Sequence, residues 1–130
     1  MRRVLVDTHV VVWALRDSPR LGATARSVLT DVRTTLLWSA VVTAELAMLA
    51  RLGRLRFHDP LETVIGRALE EWGFDLLPIA HEHALALEDL PLHHRDPFDR
   101  LLLAQGRVED VAIVSADTRF DEYGVRRIGA

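Results

Sequence analysis

Short apolar runs and helically spaced apolar residues alternate along the whole chain. Val4-Leu5-Val6 is a β-branched and apolar run that stops at Asp7, the pattern of a buried parallel strand with a carboxylate at its C-terminal end. Residues 8–15 then turn into a short helix closed by Asp17-Ser18-Pro19. Across residues 21–32, Ala25, Val28, Leu29 and Val32 keep helical spacing. Residues 34–38 read as a second strand. Ser39 caps a helix that runs through Val42, Leu46, Leu49 and Ala50 and stops near Gly53. Asp59 as cap and Pro60 as first residue open another helix, which ends near Trp72-Gly73. Residues 74–79 supply a third strand and residues 81–87 a short helix with His81 and His83 on its solvated face. A loop over 90–95 feeds a helix that opens on Asp96-Pro97 and runs to about Gly106. Residues 111–115 are the most strand-like run, followed by a turn over 118–123 and an edge strand over 125–128. Strands alternating with helices predict one α/β domain over residues 1–130, with a central, mostly parallel sheet of about five strands covered on both faces.

Composition narrows the chemistry more than it names it. A chain of 130 residues buries a core without disulfide or metal staples. The net charge of −3 does not mark a nucleic-acid binder, and all sixteen basic residues are Arg, which excludes lysine-based catalysis. Cys is absent, so thiolate nucleophiles and thiolate metal sites are excluded. No apolar run approaches the about 18 residues of a membrane span, and Met1-Arg2-Arg3 leads straight into a strand; a cytoplasmic protein is expected. Trp13, Trp38 and Trp72 are expected in the core.

Acids at special positions carry the candidate chemistry. Asp7 and Asp117 follow the two most strand-like runs, and ligands of parallel sheets bind beyond the C-terminal strand ends. Asp96 reads as a helix cap and Asp99, three residues on, shares its face; capping alone accounts for both. Glu45 lies within the apolar stretch 40–50, where a lone carboxylate is costly. Asp7, Glu45, Asp99 and Asp117 in one place require a counter-charge. Hard oxygen donors suit Mg²⁺, and the set points to metal-assisted phosphodiester hydrolysis. A receiver domain would need a lysine after a late strand. A haloacid-dehalogenase-like phosphatase would need Asp-x-Asp, where this chain has Asp7-Thr8-His9.

The opening Val4-Leu5-Val6-Asp7-Thr8-His9, the mid-helix Glu45-Leu46, the segment from His94-Arg95-Asp96-Pro97-Phe98-Asp99 to Arg100-Leu101-Leu102, and Val114-Ser115-Ala116-Asp117 together resemble the PIN domain. They are most similar to VapC-type ribonuclease toxins. The resemblance covers essentially the whole chain. It implies a three-layer α/β/α sandwich, an Mg²⁺- or Mn²⁺-dependent endoribonuclease acting on RNA, and neutralisation by a small cognate antitoxin. Asp7, Glu45, Asp99 and Asp117 match the four acids of that family, with Asp96 an additional acid left open between ligand, supporting group and cap. Where such proteins often carry Lys four residues after the glutamate, this chain has Leu49.

On this reading Asp7, Asp99 and Asp117 hold the principal metal, and Glu45 with Asp99 a second. Thr8 orients water through its hydroxyl. Arg95 and Arg100, with Arg51, Arg54 and Arg56, face the phosphate backbone. The alternative is a catalytically silent PIN-like module that binds RNA or protein. Finally, 49% hydrophobic residues exceed what one core of this size needs, especially over 21–32 and 40–52. An interface is therefore expected, and the PIN resemblance implies two occupants for it, a second copy in a homodimer and an antitoxin segment in a groove.

Overall fold

The computed structural model describes residues 2–92 and 96–130. The chain runs β1 (Arg2–Val6), α1 (Thr8–Leu15), α2 (Ala23–Thr30), β2 (Thr34–Ser39), α3 (Ala40–Arg51), α4 (Leu61–Glu71), β3 (Asp75–Leu77), α5 (His81–Leu85), α6 (Pro97–Glu109), β4 (Ala112–Ser115) and β5 (Arg127–Gly129). Single 3₁₀ turns at Ala86–Asp89 and Thr118–Tyr123 complete it. The five strands form one all-parallel sheet in the order β3-β2-β1-β4-β5. Strand order reverses between β1 and β4, so the crevice expected of such sheets opens beyond the ends of those two strands.

Period-two alternation assigns the layers. Val4, Val6, Leu36, Trp38, Ala112 and Val114 face one core, built with α1 to α4. Leu5, Leu37 and Ile113 face the other, built with α6 and the turn carrying Phe120 and Tyr123. The expected three-layer sandwich is the fold observed. No helix among the described residues is long and apolar enough to cross a membrane.

Several expectations need correction. Asp59 does not cap α4: its carboxylate is engaged by Arg67 at 2.9 Å, and Pro60 occupies the cap position without a side-chain bond. The third strand shrinks to Asp75–Leu77, because Phe74 turns edge-on to Trp38 (5.4 Å) and Pro78 has no N–H to offer a ladder. The surplus of apolar residues over 21–32 is mostly spent inside: Leu21, Ala25, Val28 and Leu29 are buried, while Ala23 and, past the helix, Val32 are exposed.

The helix expected to stop at Gly106 continues to Glu109. Gly106 serves packing rather than termination, since a Cβ there would meet Ile113 Cδ1 at 3.0 Å and Val125 Cγ1 at 3.2 Å. One residue earlier, fully buried Gln105 accepts a short hydrogen bond from the Ser39 hydroxyl and donates to the Pro78 carbonyl at 3.2 Å. It also lies 3.3 Å from His83 Nδ1. His83 is buried too, contrary to the solvated position expected of it. The Ala80 N–H donates to its Nδ1, which leaves Nε2–H to donate to Glu109 at 2.9 Å and holds that carboxyl below its usual range. This polar lock fixes α6 against β2, the start of α3 and α5.

Replacing Gln105 by Leu leaves the buried Ser39 hydroxyl without its acceptor and removes the donor to the Pro78 carbonyl. We expect a loss of about 2–4 kcal/mol in a urea titration of this variant; a loss within about 0.5 kcal/mol would deny the lock any structural weight.

Candidate active site

The site begins where β1 ends. Asp7 has extended backbone angles, caps α1, and pairs its own N–H with the Val114 carbonyl of β4 at 3.0 Å. Its carboxylate accepts from the Thr8 N–H (2.7 Å) and from the Ser115 hydroxyl (2.7 Å). Ser115, at the end of β4, accepts in turn from the Asp117 N–H at 3.0 Å. One buried hydroxyl thus joins the acids that follow the two central strands.

Glu45 projects from the second turn of α3, and its Oε1 accepts from the Thr8 hydroxyl at 2.7 Å. Asp96 caps α6 by accepting from the N–H groups of Phe98 and Asp99. Pro97 stands first in that helix and Asp99 in its first turn. Asp7, Glu45, Asp96, Asp99 and Asp117 line a single cavity of about 310 Å³ together with His9, Trp13, Ala116 and Arg119.

Crowding like charges in a partly dry cavity has a direct electrostatic consequence. Burial, then the charges of Asp7, Asp96, Glu45 and Asp117, push the Asp99 carboxyl up to about 8. Burial likewise raises Asp7, against the lowering bond from Ser115, and raises Glu45, against the lowering bond from Thr8. Asp117 is met by Arg119, whose Nε and Nη2 reach its two oxygens at 3.0 and 2.8 Å. The same Asp-x-Arg fork recurs at Asp31 and Arg33, far from the cavity, so local geometry suffices to form it.

All five acids offer hard oxygen donors, the chemistry a divalent cation such as Mg²⁺ requires. Among the described residues, no three acidic or histidine side chains stand as a ready coordination cage. Asp7, Glu45 and Asp117 are instead held by Ser115, Thr8 and Arg119.

Two residues assigned to substrate from the sequence have protein partners in the structure. Thr8 is buried and gives its hydroxyl to Glu45, which positions that acid. Arg100 points its guanidinium at the carbonyls of Pro91 (2.7 Å), Leu87 and Leu90, and clamps the loop ahead of α6. Arg95, His93 and His94 lie outside the described residues. Sequence reasoning gave Ser115 and Arg119 no role at the site and assigned Trp13 to the core. Ser115 and Arg119 flank Asp117 by two residues each, and Trp13 stands one helical turn after His9 on α1, so local spacing was the available signal.

A model of the PIN domain matches residues 4–125. No curated protein sequence matches the chain. Among solved structures, the fold is similar to VapBC2 from Rickettsia felis bound to a DNA fragment from their promoter, with a TM-score of 0.74, 12% identity, and 98% of each chain covered. It is similar to DNA-bound VapBC from Salmonella typhimurium, at TM-score 0.70 and 13% identity, covering 99% of this chain and 98% of that one. FitAcB from Neisseria gonorrhoeae gives 0.67 and 23%, covering 97% and 96%. Identities this low speak for the fold alone.

Raised carboxyl values mean that the folded chain holds these protons more tightly than the unfolded chain. The unfolded acids ionise from about pH 4 upward, so this contribution to stability is lost as pH rises, until Asp99 itself ionises near 8. Glu109, lowered by His83, acts in the opposite sense but mostly below that window. We expect the metal-free melting midpoint to fall from about pH 5 to about pH 8, and to fall less, by about 5 °C, in Asp99→Asn. A midpoint that rises with pH in the parent chain, or equal slopes in both, would contradict the electrostatics described.

Proposed function

The chain belongs to the PIN-domain family, and from that premise we propose that it is a metal-dependent endoribonuclease, the toxin of a VapC-type toxin–antitoxin pair. PIN domains are generally nucleases. The observation that carries the reading is the convergence of five carboxylates on one cavity at the C-terminal edge of a parallel sheet. Such a set is unfavourable without a cation.

Asp7, Glu45, Asp99 and Asp117 would hold Mg²⁺, with Mn²⁺ as a substitute, and Asp96 stands beside them as the cap of α6. A cation bound there supplies Lewis acidity toward the phosphate and makes water a competent nucleophile near neutral pH. The protein's own groups do the positioning. Ser115 and Thr8 aim Asp7 and Glu45 inward. Arg119, largely exposed at the cavity rim, is the cation best placed among the described residues to meet a phosphate oxygen. Arg51, Arg54 and Arg56 are exposed at and beyond the end of α3 and suit the more distant backbone.

Met48 and Leu52, four residues apart at the end of α3, remain about half exposed (51% and 59%). That stripe supports a homodimer and an antitoxin held partly by apolar contacts. Action in the cytoplasm fits such a pair.

Two measurements test the reading. With Mg²⁺ the purified chain should cut single-stranded RNA, and Asp99→Asn or Asp117→Asn should lower the rate roughly a hundredfold or more while the variants stay folded. Cutting that survives excess chelator, or either variant at the parent rate, would refute it. In sedimentation at micromolar concentration, the chain should run at twice its 14.7 kDa mass, and a clean monomer would remove the dimer from the proposal.

A further inference from the structure

Of the three tryptophans, two are placed as the sequence suggests and one is not. Trp38 is fully buried and gives its indole N–H to the Thr43 hydroxyl at 2.9 Å, the arrangement of a structural tryptophan. Trp72 packs at the edge of the same core. Trp13 also rests against that core on one side, yet on the other it lines the acidic cavity. Its indole N–H has no hydrogen-bond partner among the described residues. His9, one turn earlier on α1, stands edge-on to it with ring centroids 6.4 Å apart and planes at 87°. The ring is therefore held from two directions and remains accessible from the cavity.

The surroundings say what such a ring could hold. α1 starts at Asp7, so a ligand whose phosphate lies among the acids would extend along α1 past His9 to Trp13. The acids repel a second phosphate unless it is neutralised, whereas a flat, weakly polar ring system meets no such penalty. An indole face with a free N–H offers stacking plus one donor, the combination single-stranded nucleic acid uses at protein surfaces. An apolar amino-acid side chain would gain from the body of Trp13 but would leave the acidic walls unmatched.

We infer that Trp13, held by His9, is a nucleobase-stacking subsite that seats an unpaired base of the RNA strand beside the carboxylate cluster. The inference rests on the ribonuclease reading for its substrate class, and it adds a positioning residue to that site. Stacking of this kind tolerates any base, so Trp13 sets the requirement for an unpaired base rather than the choice among the four.

The test uses the full chain in an Asp99→Asn background with Mg²⁺, in which cutting is slow enough to measure binding. The probes are oligoadenylate and oligouridylate of about ten nucleotides and an abasic ribose–phosphate chain of equal length. Base-bearing chains should bind about tenfold or more tightly than the abasic one. Trp13→Leu, which keeps apolar bulk without an aromatic face, should lose that preference, and Trp13→Phe should keep most of it. In ¹⁵N spectra the Trp13 indole signal, identified by its disappearance in Trp13→Phe, should move with base-bearing chains and stay still with the abasic one; this readout needs no stable Leu variant. An unmoved indole signal, a Trp13→Leu protein that still prefers bases, or a parent chain that binds no base-bearing RNA would overturn the subsite. Cleavage separates the two ideas. In the Asp99-intact chain, RNA cutting with unchanged KM in Trp13→Leu defeats the subsite alone. Base-dependent indole shifts in a chain that never cuts RNA defeat the nuclease alone.

Discussion

Repulsion among five carboxylates around one cavity is the constraint to which the rest of this structure answers. A lone acid at a strand end is an ordinary cap. Burial in the core beneath raises the Asp7, Glu45 and Asp99 carboxyls, and for Asp99 the charges of the four other acids add to that burial and push it up to about 8. The fold holds them in place with small, directional contacts rather than with buried opposite charge. The Ser115 hydroxyl bonds Asp7, the Thr8 hydroxyl bonds Glu45, and the Arg119 fork lies at the rim where solvent screens it. None of these neutralises the cluster. The site keeps a standing preference for cations, which a fully paired set of salt bridges would have removed.

Holding repelling groups together requires a rigid frame, and the frame is polar where it matters most. α3 carries Glu45 and α6 carries Asp99, so their relative placement decides whether the acids meet. Ser39, at the junction of β2 and α3, is bonded to Gln105 of α6. Gln105 and His83 together carry that connection to the loop before α5 and on to Glu109. Next to this lock Gly106 lets α6 approach Ile113 of β4 and Val125 without a side chain between them. Hydrophobic packing fixes how deep a helix sits; a buried, fully bonded amide also fixes its rotation and register, since any slip leaves polar atoms unpaired.

The arginines divide by what lies within reach. Arg100 was a natural candidate for phosphate because it follows Asp99 directly. Successive helical residues point about a quarter turn or more apart, however, and its guanidinium finds three loop carbonyls instead. Arg119, in the first turn of the 3₁₀ segment that Asp117 caps, keeps its guanidinium on that carboxylate and stays at the cavity. Proximity in sequence translated into proximity in space for the turn residue alone.

The sequence by itself determined the order of strands and helices, the parallel class of the sheet, the capping of α3 by Ser39 and of α6 by Asp96, and the acids worth suspecting. These follow from periodicity, from cap chemistry and from the cost of a carboxylate in an apolar stretch, all of which act over a few neighbouring residues. Only the tertiary structure decided that β3 is a three-residue edge strand and that Asp59 pairs with Arg67 instead of capping. It also decided that His83 is interior and that Thr8 serves Glu45. Trp13 makes the point most clearly. It was expected in the core, and one side of it is core; the other side faces the cavity because α3, α6 and the turn after β4 arrive there from distant parts of the chain. Local pattern specifies which way a side chain leaves its own element, while what it meets depends on partners that no local pattern contains.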